Sequence, residues 1–106
     1  MKVGNENYIL IYHDILYLNI TSIIDIKLII ELCMRCKFNS SIVSLTTFDR
    51  LQIMQKLNIS KSSFSNSLLR LKNIGILNGI SGRFEINPEY LRKGTNNMRN
   101  RFLKNK

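Results

Sequence analysis

The spacing of apolar residues along the chain changes from helical to strand-like and back several times. From Ser22 onward, Ile23, Ile26, Ile30, Cys33 and Met34 recur at helical intervals, with Leu28, Ile29 and Leu32 widening the stripe around most of the circumference. Ser22 followed by Asp25 is a capping-box-like start, so the pattern predicts a largely buried helix from about Ile23 to Lys37. Ahead of it, Tyr8–Tyr12 is β-branched and aromatic like a short strand. Its apolar run nevertheless continues through Ile15, Leu16 and Leu18 in the manner of a helix, which leaves that boundary open. Phe38–Ser41 is turn material, and Ile42–Leu45 is a short strand-like run.

Start and stop signals then follow closely. Thr46 with Asp49 caps a helix through Phe48, Leu51, Ile53, Met54 and Leu57 that stops at Asn58-Ile59. Ser60 caps a second helix, about Lys61 to Ile74, with Phe64, Leu68 and Leu71 apolar and Gly75 placed just past its end. Two short helices joined by so brief a turn are the sequence image of a helix-turn-helix. Past Gly75, Ile76–Ile80 and Arg83–Ile86 flank Ser81-Gly82 as a β-hairpin, although Asn78-Gly79 is a competing turn. Asn87-Pro88 ends that hairpin.

Helix, strand, helix, helix and hairpin in this order predict a mainly α fold with a small β-hairpin wing, a winged helix-turn-helix. A chain of 106 residues suits one domain, drawn over 1–91, followed by a basic tail over 92–106. The formal charge of +9 is confined to one half. Residues 1–53 balance five basic against five acidic groups, whereas residues 54–106 hold eleven basic groups and only Glu85 and Glu89. Such a half calls for a polyanion.

With Phe64, Ser67, Leu68 and Leu71 turned to the core, the second helix presents Lys61, Ser62, Ser63, Ser65, Asn66 and Arg70 to solvent. Short hydroxyls, an amide and cations suit phosphates and base edges of a major groove. Arg83 would sit at the tip of the wing, and Arg92 and Lys93 in the tail would add phosphate contacts. Leu69 falls off the core stripe, and contact with a thymine methyl or cover for the helix beneath are both open to it.

Enzymatic readings lack their residues. His13 is the sole histidine, so a metal-dependent DNA-nicking site cannot be built, and Tyr8, Tyr12, Tyr17 and Tyr90 read as core or interface aromatics. Asp25, Glu31 and Asp49 suit helix caps and solvent faces better than a two-metal site. No catalytic residue, metal or cofactor is expected. Cys33 and Cys36 lack a second ligand pair for zinc and lie near the end of an apolar helix, so they read as reduced, packed cysteines of a cytoplasmic protein. Asp25, Lys27 and Glu31 interrupt the apolar stretch from Ile20 to Met34, which argues against a membrane span. A membrane-surface role for the tail would have only Met98, Phe102 and Leu103 as anchors.

The stretches Leu57–Asn66 and Leu71–Leu77 look like the recognition helix and following strand of many bacterial winged-helix regulators. Gly82–Gly94, with Ile86-Asn87-Pro88 and then Lys93-Gly94, is similar to the wing strand and its sequel in the RepL-type replication proteins of Gram-positive bacterial plasmids. The resemblance covers about Tyr8 to Gly94. It implies a cytoplasmic winged-helix protein acting in replication or maintenance of an extrachromosomal element. The expected partner is double-stranded DNA, with host replication proteins supplying melting and polymerase loading. A transcriptional regulator remains the alternative within the same physics. Surplus apolar surface over Tyr8–Leu18 predicts a homodimer built through that segment and the Ser22–Lys37 helix.

Overall fold

In a computed structural model of the protein, residues 8–80, 82–94 and 103–104 are described. These residues form three α-helices and five short strands: β1 (Leu10–Ile11), α1 (Ile23–Arg35), β2 (Ile42–Ser44), α2 (Thr47–Leu57), α3 (Lys61–Asn73), β3 (Leu77–Ile80), β4 (Arg83–Ile86) and β5 (Leu91–Arg92). The result is a mixed globule of helices and small antiparallel sheets, with more sheet than the mainly α expectation allowed. A single 3₁₀ segment, His13–Tyr17, settles the ambiguous leading stretch, which is strand first and helical turn second.

Local chemistry explains each helix boundary. Ser22 caps α1 by accepting from the Ile24 amide at 3.2 Å. The capping box expected there does not close, because Asp25 is buried and turned toward α3 instead. At α2 the box is complete: the Asp49 amide donates to Thr46 Oγ1 at 3.1 Å, and the Thr46 amide donates to Asp49 Oδ2 at 2.8 Å. Asn58 ends α2 in the left-handed conformation at φ 55°, and Ser60 then caps α3 by accepting from the Ser63 amide. Gly75, at φ +86°, takes the position past α3 where a side chain would be strained.

The hairpin has one register. Leu77 pairs with Ile86 and Ile80 with Arg83, while β2 pairs along the other edge of β4, Val43 opposite Phe84. Asn78-Gly79 therefore lies inside β3 and is not the turn. Folding back there would zip Leu77 to Ile80 and leave β4 without its inner partner. Alternation along β4 turns Phe84 and Ile86 into the core and Arg83 and Glu85 outward. Those two side chains join Leu28, Ile29, Leu32, Ile53, Phe64, Leu71 and Ile76 in one buried cluster.

The N-terminal segment returns to the end of the chain: β1 pairs with β5, Leu10 opposite Arg92, and the Tyr12 amide donates to the Tyr90 carbonyl at 2.8 Å. Arg92, Lys93 and Gly94 thus belong to the body of the fold rather than to a tail. The remainder of the predicted tail lies outside the described residues apart from 103–104. Among the described residues, no helix is long and apolar enough to cross a membrane.

Candidate nucleic-acid interface

The outer face of α3 follows from which of its residues the core consumes. Phe64, Ser67, Leu68 and Leu71 are buried, so helical geometry leaves Lys61, Ser62, Ser65, Asn66, Leu69 and Arg70 exposed and Ser63 half-buried. At its N-terminus the Ser60 hydroxyl lies 3.2 Å from that of Ser62 and donates to that of Ser63 at 3.1 Å. Lys61, Ser62, Ser65 and Asn66 share one shallow groove of about 590 Å³ with Ser60. This cluster contains donors and acceptors on short side chains and no acid.

Beside it, a groove of about 640 Å³ between α2 and α3 brings Lys61 and Ser65 together with Thr46, Arg50 and Leu51. Arg50 was not picked out from sequence. A Cβ built on Gly82 would lie 3.2 Å from Arg50 Nη2, so this cation reaches from α2 to the hairpin turn. Its spacing from Lys61 carries no local signal, because the two residues sit on different helices. The same turn is tied down by the Leu45 amide, which donates to the Gly82 carbonyl at 2.7 Å.

The other sequence-predicted cations separate. Arg83 is exposed, but the groove of about 490 Å³ that it lines is built with Arg35, Lys37 and β2 and contains no residue of α3. Arg92 overturns the tail expectation: it is only 1 % exposed, and its Nη2 donates to Asn39 Oδ1 at 3.3 Å. Lys93 donates from Nζ to the Met34 carbonyl at 2.8 Å, completing the C-terminal end of α1, while its own carbonyl accepts from the Asn39 amide. Pairing of β5 with β1 draws Arg92 inward and a bridge to Ser40 holds Lys93, and nothing near them in sequence announces either. Gly94 belongs to the same structure, since a Cβ there would collide with Asn39 Oδ1 and the Arg92 guanidinium.

Two acids expected at a helix cap or on a solvent face are buried links between helices. Asp25 on α1 accepts from Ser67 Oγ at 2.6 Å and from the Arg70 guanidinium at 2.8–3.2 Å. Glu31 on α1 accepts from Arg35 Nε at 3.0 Å and pairs with Lys56 Nζ of α2 at 2.9 Å. Burial pushes both carboxyls up, but hydrogen bonds from Arg70 and Ser67, and from Lys56 and Arg35, outweigh it and hold both below their ordinary values. Asp49 is lowered by the Thr46 amide and hydroxyl. Lowered folded-state values mean that the unfolded chain takes up protons first as pH falls. Stability is therefore expected to be constant down to about pH 4.5 and to decline below it, a trend that urea midpoints at several pH values will measure. Asp25→Asn should flatten that decline.

Cys33 and Cys36 are free and buried, and Cys36 Sγ donates to the Leu32 carbonyl at 3.6 Å. Burial pushes the thiols up to about 12 and about 11, against the weaker pull of Arg92 and Lys93. Both are expected to react with a thiol reagent only when the protein opens, so labelling should be slow in buffer and immediate in urea. Complete labelling within mixing time in buffer would contradict the packing of α1. Among the described residues, no group of three His, Cys, Asp or Glu is placed to hold a metal ion. No known protein family, no curated protein and no solved structure matches the chain.

Proposed function

We propose that this chain is a winged helix-turn-helix protein that binds double-stranded DNA, α3 entering the major groove, and that it serves replication initiation or maintenance of a plasmid or similar element. The observation that carries this reading is the acid-free outer face of α3. Lys61, Ser62, Ser65 and Asn66 stand exposed on one side of a helix whose opposite side is buried in the core. The element order helix, strand, helix, helix, hairpin supports it, with β4 central between β2 and β3.

In this reading Ser62, Ser65 and Asn66 meet base edges, the α3 N-terminus and Lys61 meet phosphate, and Arg50 adds a second phosphate contact from α2. The protein acts by positioning, and host replication proteins do the melting and loading. A regulator that represses its own element would use the same face. The exposed apolar residues Leu16, Tyr17 and Ile23, each at least 70 % accessible, support a homodimer built through the leading segment and α1. Light scattering at micromolar concentration should then give twice the 12.4 kDa chain mass, and a monomer would reject that assembly.

The test is fluorescence anisotropy of a random duplex across about 50 to about 300 mM salt. Binding whose logarithm falls linearly with that of salt is expected, with the slope reduced by about one for Lys61→Gln and again for Arg50→Gln. No binding at the lowest salt would overturn the reading.

A further inference from the structure

We infer that Arg70 is a positioning residue, not a DNA contact: gripped by Asp25 and Ser67, it fixes the rotation of α3 about its own axis, so that sequence discrimination depends on a buried carboxylate remote from the recognition face. The inference rests on the DNA-binding reading of α3 and names what holds that face in register.

The geometry is that of a fork. Arg70 Nε donates to Asp25 Oδ2 at 2.9 Å and to Oδ1 at 3.2 Å, Nη2 donates to Oδ1 at 2.8 Å, and the Ser67 hydroxyl donates to the same Oδ1 at 2.6 Å. Asp25 is 3 % exposed and Ser67 fully buried. Drawing the guanidinium away to a phosphate would strand a buried carboxylate with only a serine hydroxyl for company. The Arg70 side chain is nearly half exposed, yet its charge is already compensated.

The rest of the α1–α3 contact cannot set rotation so sharply. Phe64, Leu68 and Leu71 pack through apolar surface, which is non-directional and tolerates small turns of the helix. A planar guanidinium on a carboxylate does not tolerate them. Ser67 and Arg70 lie one turn apart on the flank of α3 that meets α1. Pinning that flank directs the line Ser62, Ser65, Asn66 and Leu69 outward, where Leu69 is 55 % exposed among polar neighbours. A turn of the helix would move all four against the base edges at once.

Asp25→Asn separates this from simple electrostatics by sign. Removing an acid from a protein of charge +9 should tighten every DNA complex, whereas loss of positioning weakens the specific complex alone. The wild-type chain would first select a duplex from a random pool. Affinities of wild type, Asp25→Asn, Arg70→Gln and Arg70→Lys for the selected and a random duplex would then be measured across salt.

Discrimination is expected to fall about tenfold in Asp25→Asn and Arg70→Gln, and less in Arg70→Lys, which keeps the charge without the fork. Random-duplex binding should be kept, and the salt slope of Arg70→Gln should equal that of wild type. A slope reduced by about one in Arg70→Gln, or unchanged or tighter selected-site binding in Asp25→Asn, would overturn the inference while leaving DNA binding intact. If circular dichroism shows Asp25→Asn unfolded, Ser67→Ala removes one hydroxyl and no charge. It should show the same loss in smaller degree, and full discrimination there would overturn the inference. A wild-type chain that binds neither duplex would overturn the DNA reading itself.

Discussion

Phe64→Ala is expected to lower the unfolding free energy by about 3–5 kcal/mol, the range for emptying an aromatic from a packed core. Phe64 is 1 % exposed in the second turn of α3, and it carries α3 into the same cluster as Leu28, Ile53 and Phe84. A domain of this size has only about 5–15 kcal/mol to lose, so the variant should be largely unfolded at moderate urea where wild type is intact. The matched control lies five residues on. Leu69→Ala on the exposed face should change stability by no more than about 0.5 kcal/mol. Urea midpoints of the two variants check both numbers, and a loss under about 1 kcal/mol for Phe64→Ala would mean that α3 does not bury this face.

Gly79→Ala should cost about 3 kcal/mol or more, while Gly75→Ala costs about 1 kcal/mol, although both glycines have positive φ. At Gly75 a Cβ meets nothing within 4 Å, so backbone strain is the whole penalty. At Gly79, φ +122°, the added carbon would collide with the Arg83 carbonyl and come within 2.8 Å of Phe84 Cα. The obstacle is backbone of the paired strand, which cannot yield without breaking the β3–β4 ladder. Thermal melts should order the variants as wild type, Gly75→Ala and Gly79→Ala, and amide exchange in Gly79→Ala should accelerate along Arg83–Ile86. Equal costs at the two positions would contradict the register.

These two cases also show where sequence reading succeeded and where it failed. Phe64, Leu68 and Leu71 were legible as a core stripe because helical spacing alone places them on one face, and Ser67 among them was legible as small. Gly75 was legible as a helix stop. Gly79 was ambiguous, since Asn-Gly is as good a turn as Ser-Gly until the partner strand is known. The candidate interface was legible in its central part, Lys61 to Asn66, for the reason that governs Phe64: one helix divides its residues between two faces. Arg50 was missed because its neighbours Lys61 and Gly82 come from other elements. Arg92 and Lys93 were misplaced because a run of cations without acids looks like a solvated tail. Their true partners, Asn39 and the Met34 carbonyl, lie 53 and 59 residues away.

What the amino-acid order determined by itself is therefore the charge confined to one half and those features whose cause lies along a single helix: the Thr46–Asp49 box, the Ser60 cap, the stop at Gly75 and the buried stripes. Tertiary structure alone decided the pairing of β1 with β5, the hairpin register, the burial of Arg92 and the turning of Asp25 from its own helix start to Ser67, 42 residues on. Capping and helical periodicity act between residues that are neighbours in any conformation of that segment. A carboxylate choosing between its own helix end and a distant guanidinium is decided by which site is dry, and dryness exists only once the chain has closed around it.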